Sequence, residues 1–279
     1  MPVGISTILY EIDKSIDYLE KFNFIKYLGL KYVELSDVFH FQKNILNALA
    51  EDNLNVFSIH ADYIESDISS PNERKRVNGI DDALKRIDYL NKLQSKLLVI
   101  HPGGWYPDKK EKDERIKNCI SSLVYIAKEA SLNGIKIAIE NLPPEFFGDD
   151  IEIIKYILNE TRNLTNNKDN IGICLDTGHA FLTGNIFDYL SLLYDDILTI
   201  HLHDNNGDNN GNRAEAMDDL HAVPGTELIN WKNIFDILSK KDYKGGLIFE
   251  IKKGSKSLEQ VVGEIKYFIG SNPFLKQNI

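Results

Sequence analysis

Histidine and carboxylate side chains stand at the ends of apolar, β-rich runs along most of this chain. VFSIH ends on His60, KLLVIH on His101, and KIAIEN carries Glu140. IGICLDTGH carries Asp176 and His179, ILTIHLHD carries His201 and His203, and GLIFE ends on Glu250. Imidazole nitrogens and carboxylate oxygens form a mixed donor set that suits Mn²⁺, Mg²⁺, Co²⁺ or Zn²⁺, and sequence does not order those ions. Glu140, Asp176, His201 and Glu250 are the candidate ligands of one divalent metal ion, because carboxylates crowded at one place repel unless a cation joins them. His60, His101, His179, Asp219 and His221 have the residue types to bind additional metals or substrate oxygens. His203, two residues after His201, is read as pointing away from the shared mouth, which leaves it a supporting role. His40 has no partner in its motif and reads as a surface histidine.

Short β-branched runs alternate with segments of helical period, and these elements must position the candidates. Strands are expected over 3–9, 32–35, 56–60, 96–101, 136–140, 171–176, 197–203 and 246–250. Helices are expected from 13, then over 42–52, 72–93, 112–132, 150–160, 186–193, 231–240 and 257–269. Eight strand–helix units with nearly continuous apolar strands predict an α/β fold, a (β/α)8 TIM barrel forming a single domain over 1–279. A barrel gathers the C-terminal ends of its strands at one rim, whereas an open doubly wound sheet would splay them apart.

The bulk properties narrow the function. A net charge of −10 opposes a surface built to track nucleic-acid phosphates. Cys119 and Cys174, the two cysteines, imply no disulfide framework and a reducing compartment. The start lacks a basic segment followed by a long apolar one, and no run reaches the length of a membrane helix, so a cytoplasmic protein without membrane partners is expected. Trp105 follows HPGG, where its ring would either stack on a sugar face or a nucleobase or pack under the loop. Arg213 in the long polar loop, with Lys252 and Lys253 after Glu250, reads first as solvated charge, with binding of a substrate phosphate as the alternative. Homo-oligomerisation stays open, since exposed barrel helices and dimer faces read alike in one sequence.

The motifs LVIHPGG, IAIEN, CLDTGHAF, HLHDNNG, HAVPGTELINW and LIFE occur in an order that resembles the xylose isomerase-like barrel superfamily. In its isomerase and epimerase branch, the resemblance implies one metal on Glu140, Asp176, His201 and Glu250. Glu140 and Glu250 would then move a proton α to a carbonyl, through a metal-stabilised enediolate of a sugar or sugar phosphate. His60, His101 and His179 would line the pocket. In its endonuclease IV branch, the resemblance implies three zinc ions and cleavage of abasic DNA. Those ions would use His60, His101 and Glu140; then Asp176, His201 and Glu250; then His179, Asp219 and His221. Three departures weigh against that branch: Leu220 stands where the nuclease pattern has arginine, Gly225-Thr226-Glu227 replaces Gly-Glu-Gly, and His203 replaces asparagine. The isomerase or epimerase reading is therefore favoured, with the multi-zinc phosphodiesterase as alternative and a non-catalytic sugar-binding barrel as a third.

Overall fold

The computed structural model describes residues 1–10, 18–36, 43–61, 66–106, 109–167, 169–207 and 218–279. Its strands are β1 (Val3–Ser6), β2 (Tyr32–Leu35), β3 (Asn55–His60), β4 (Leu97–Ile100), β5 (Lys136–Glu140), β6 (Ile171–Asp176), β7 (Ile197–Leu202) and β8 (Gly246–Phe249). Each pairs in parallel with the next, and β8 returns to β1, closing an eight-stranded barrel. The helices between and after them are α1 (Tyr18–Tyr27), α2 (Lys43–Glu51), α3 (Glu73–Lys92), α4 (Lys112–Leu132), α5 (Ile151–Thr165), α6 (Thr177–Leu182), α7 (Ile186–Leu192), α8 (Trp231–Lys240), α9 (Leu258–Ser271) and α10 (Pro273–Lys276). The expected (β/α)8 barrel is the observed fold. Among the described residues, no helix is long and apolar enough to cross a membrane.

Local chemistry sets the element ends. α4 buries Arg115, Cys119, Ser122, Leu123, Ile126, Ala127 and Ala130 at helical spacing. It stops at Asn133-Gly134, where Gly134 takes a left-handed φ of 62°. Asn72 caps α3, and Ser257 with Gln260 forms a reciprocal capping box on α9. β1 ends three residues short of its expected bound, because the chain enters a 3₁₀ turn over Thr7–Tyr10. α5 runs on to Thr165 and stops where Asn166 takes a left-handed φ of 52°. α6 was not foreseen: the Asp176 side chain accepts from His179 N at 2.8 Å and turns β6 directly into a helix.

The main core lies between the strands and the helical ring. A second, small cluster joins Leu97, Val99, Ala138 and Cys174. Val99, Ala138, Cys174 and Thr199 lie two residues before His101, Glu140, Asp176 and His201, so they share a strand face with them and form a mostly apolar floor beneath them. Gly178 is required by close approach: a Cβ there would fall 1.9 Å from the His203 ring.

The return from β7 to α8 is organised by buried Asp204. Its carboxylate accepts from Gly225 N (2.8 Å), Glu227 N (3.2 Å), Ile229 N (3.0 Å) and Trp231 Nε1 (2.9 Å). Together with a bridge between Asp204 and Ala222, this brings Asp219 and His221 back over the barrel rim. Asp204→Ala strands these donors, and the expected cost is about 2–4 kcal/mol. A thermal melt followed by circular dichroism checks it: the variant should melt several degrees lower, and an unchanged melting temperature would contradict the role.

Candidate metal centre

Barrel closure and strand parity bring the chemistry to one rim. Glu140 and Asp176 are the last residues of β5 and β6, His201 pairs in register with Asp176, and Glu250 follows β8 directly. One donor atom from each of Glu140, Asp176, His201 and Glu250 lies within 4.8 Å of the others, and all four residues are buried. Other groups meet the same distance, among them His60, His101 and Glu140 on one side, and His179, His203, Asp219 and His221 on the other. Glu140 joins the first two groups. Its Oε2 lies 2.8 Å from His60 Nε2 and 3.5 Å from His101 Nε2, while its Oε1 lies 3.4 Å from His201 Nδ1.

The hydrogen bonds on the far side of each ring indicate what these groups are for. A carbonyl or carboxylate oxygen can only accept, so the ring nitrogen facing it carries the hydrogen. His60 Nδ1 donates to Ala61 O (2.7 Å), His179 Nδ1 to Asn141 O (2.9 Å) and His221 Nδ1 to Glu250 O (3.0 Å). In the neutral ring, each remaining nitrogen then presents a lone pair, and each faces a carboxylate. His60 Nε2 faces Glu140, while His179 Nε2 (3.3 Å) and His221 Nε2 (2.7 Å) face Asp219 Oδ2. Lone pairs directed at carboxylate oxygens call for a cation between them, a proton or a metal ion. Rings fixed by such outer hydrogen bonds are the usual arrangement of metal-binding histidines.

The electrostatics agree. Burial opposes protonation of His60, but the hydrogen bond and charge of Glu140 outweigh it and lift the ring to about 9. Burial likewise opposes protonation of His179, yet Asp176 and Asp219 lift it to about 10. His101 is lowered, chiefly by burial. Burial disfavours the charged form of Glu140, Glu250 and Asp219, yet the neighbouring imidazoles hold all three below the ordinary carboxylate range. These carboxylates are ionised at neutral pH and make the cluster a demand for positive charge that a divalent ion fits.

His203 corrects the expectation that it points away. Its Nε2 donates to Asp176 (2.8 Å), its ring stacks on His221 with centroids 4.0 Å apart, and its Nδ1 turns toward Asp219 at 3.9 Å. His221 takes φ 46°, a left-handed backbone that costs a non-glycine residue energy and tends to be kept at functional positions. Glu34, buried on β2 and 3.2 Å from His201, was missed because a lone carboxylate inside the run YVEL carries no motif. Only its alternation with the strand's other residues marks it as facing inward.

Above the cluster is a cavity of about 290 Å³, lined by His101, Glu140, His179, Asp219, His221, Glu250 and Lys252, with Ile8, Leu142, Pro143 and Phe146 as its apolar wall. Trp105 does not line it. Its ring packs edge-on against Phe146 at 5.4 Å, and the residue is 52 % exposed. Arg213 and His40 lie outside the described residues.

Comparison with known proteins places this geometry in context. The family described as "Xylose isomerase-like TIM barrel" matches residues 22–269. An uncharacterised protein of Methanocaldococcus jannaschii is 30% identical over 253 residues, covering 88% of each chain. A probable endonuclease 4 of Campylobacter fetus is 28% identical over 224 residues, covering 74% of this chain and 73% of that one. The crystal structure of a D-tagatose 3-epimerase-like protein superposes with a TM-score of 0.77 at 23% identity, covering 99% of this chain and 98% of that one. That last similarity is one of fold.

Because Glu140 faces two donor groups, Glu140→Ala should lower metal content per chain more than His221→Ala, which touches one. Plasma mass spectrometry of both variants, purified without chelators, measures this. Equal losses would contradict the shared role of Glu140.

Proposed function

This chain belongs to the xylose isomerase-like TIM barrel family, and we propose that it is a divalent-metal-dependent isomerase or epimerase of a sugar or sugar phosphate. The observation that carries this reading is the pair Glu140 and Glu250 on the floor of a cavity sized for one small molecule. Small-ligand pockets begin at about 300 Å³, close to the 290 Å³ found here. A divalent ion held by Glu140, Asp176, His201 and Glu250 would supply Lewis acidity toward a carbonyl oxygen and the adjacent hydroxyl, making the intervening carbon-bound proton more acidic.

The chain's own residues do the rest. Glu140 and Glu250 are both held ionised, so either can accept the proton α to the carbonyl. Return of the proton to the other face gives an epimer, and return to the neighbouring carbon gives an isomer. Ile8, Leu142, Pro143 and Phe146 keep water from the exposed carbanion face. Lys252, at the same cavity, offers a charge partner for a substrate phosphate.

A second reading has its own observation. Glu34, Glu140, Asp176 and Glu250 are buried together, with Asp219 beside them. One divalent ion leaves most of that charge uncompensated, and the donor groups around His60 and Asp219 would accept further ions. A multi-zinc phosphodiesterase acting on abasic DNA would use all three groups, and the C. fetus relative is named a probable endonuclease 4. Against it, Lys252 is the one lysine or arginine among the described residues lining the cavity, whereas gripping a phosphate backbone calls for several.

Exchange of the substrate α-proton with solvent deuterium, across a panel of ketoses and their phosphates, tests the proposal. Wild-type protein loaded with Mn²⁺ or Co²⁺ should exchange with one of them, and Glu250→Gln should be slower by about 10²–10⁴-fold. No exchange with any ketose, together with incision of an abasic duplex that His221→Ala abolishes, would replace this reading with the second.

A further inference from the structure

Proton transfer has no use for Glu34, yet Glu34 is fully buried on β2. The floor around it is otherwise largely apolar, with Leu97, Val99, Ala138 and Cys174 clustered there. Burying a carboxylate costs several kcal/mol unless partners repay it, so an aliphatic residue would be the cheaper occupant. Glu34 has two partners. Ser58 Oγ on β3 donates to its Oε2 at 2.7 Å, and His201 Nε2 on β7 lies 3.2 Å from both of its oxygens.

The consequence follows from donor accounting. Glu34 can only accept, so His201 Nε2 carries the hydrogen and Nδ1 is left bare. Nδ1 is the atom that faces Glu250 Oε2 (2.5 Å), Glu140 Oε1 (3.4 Å) and Asp176 Oδ2 (3.8 Å). It is buried without a hydrogen-bond partner, as is Glu250 Oε2. With an apolar residue at position 34, Nε2–H loses its acceptor and the neutral ring gains by moving its hydrogen to Nδ1, beside the carboxylates of Glu250, Glu140 and Asp176, which closes the donor atom. The ring cannot swing away, because Thr177 Oγ1 ties the His201 carbonyl at 2.9 Å and the side chain is fully enclosed.

We propose that Glu34 is a positioning residue: it holds His201 in the Nε2–H tautomer so that Nδ1 is presented to a divalent cation, and Ser58 holds Glu34 in turn. This rests on reading Glu140, Asp176, His201 and Glu250 as metal donors, and not on which substrate the metal serves.

The test is Co²⁺ affinity of the full, chelator-stripped chain, by competition with a chromogenic chelator, for wild type, Glu34→Leu, Glu34→Gln and Ser58→Ala. Glu34→Leu should keep its circular dichroism spectrum and bind Co²⁺ about 10–100-fold more weakly, the usual cost of losing such an outer hydrogen bond. Glu34→Gln keeps an acceptor oxygen for His201 Nε2 and should recover most of that affinity. Undiminished binding by Glu34→Leu overturns the proposal, as does a Glu34→Gln as weak as the leucine variant, because charge and not the hydrogen bond would then act. If Glu34→Leu does not fold, Ser58→Ala decides: weakened Co²⁺ binding supports the relay and wild-type binding overturns it. Wild type binding no Co²⁺ sinks the metal reading itself. Predicted Co²⁺ behaviour without ketose exchange sinks only the sugar reading.

Discussion

Compensation of buried negative charge is the constraint on which the rest of the structure depends. Glu34, Glu140, Asp176 and Glu250 are each less than 5 % exposed and meet around His201. Two carboxylates about 4 Å apart repel by roughly 4 kcal/mol at the effective dielectric of a protein site. The histidines reduce this repulsion, but the hydrogens of His60, His179, His201, His203 and His221 are each directed at an acceptor on the ring's other side. In the neutral rings, what is left to face the carboxylates is lone pairs. Carboxylates and lone pairs facing one another are a stable arrangement around cations and an unstable one without them.

The barrel supplies the scaffold for that convergence. Closure of β8 onto β1 makes every strand end a neighbour of the same mouth, and alternation sets the polar residues above a floor of Val99, Ala138 and Cys174. Asp176 shows how closely support and chemistry are joined. One residue caps α6, accepts from His203 and contributes an oxygen to the cluster, while its backbone N–H donates to Asn141 Oδ1 at 2.8 Å. The loop carrying Asp219 and His221 has no strand to hold it. It depends on the acceptors of Asp204 and on the His221 carbonyl, which accepts from Lys252 N at 3.0 Å.

Much of this was legible in the sequence, for physical reasons. Parallel barrel strands are buried on both faces, so KLLVIH, KIAIE and IGICLD read as unbroken apolar runs whose first polar residue marks the rim. α4 and α8 were legible to the residue because both carry clear apolar faces and defined stops. What was hidden depends on side-chain direction and on distance along the chain. Glu34 and His201 lie 167 positions apart, and nothing in YVEL announces a partner on β7. His203 was misread because residues two apart on a strand share a face: standing two past His201, it turns its Nε2 to Asp176 of the same cluster. Trp105 looked like a stacking platform, whereas pairing of its backbone with Phe146 sets the ring against that neighbour and leaves Phe146 on the cavity wall.

The sugar and phosphodiester readings share the same metal donors, so the occupant of those donors is the most direct thing to observe. Anomalous X-ray diffraction above and below the zinc, cobalt and manganese edges, on crystals soaked with each ion in turn, locates it. This account predicts a strong edge-dependent peak enclosed by Glu140, Asp176, His201 and Glu250, with His201 Nδ1 as the coordinating nitrogen. No peak there for any ion would contradict it.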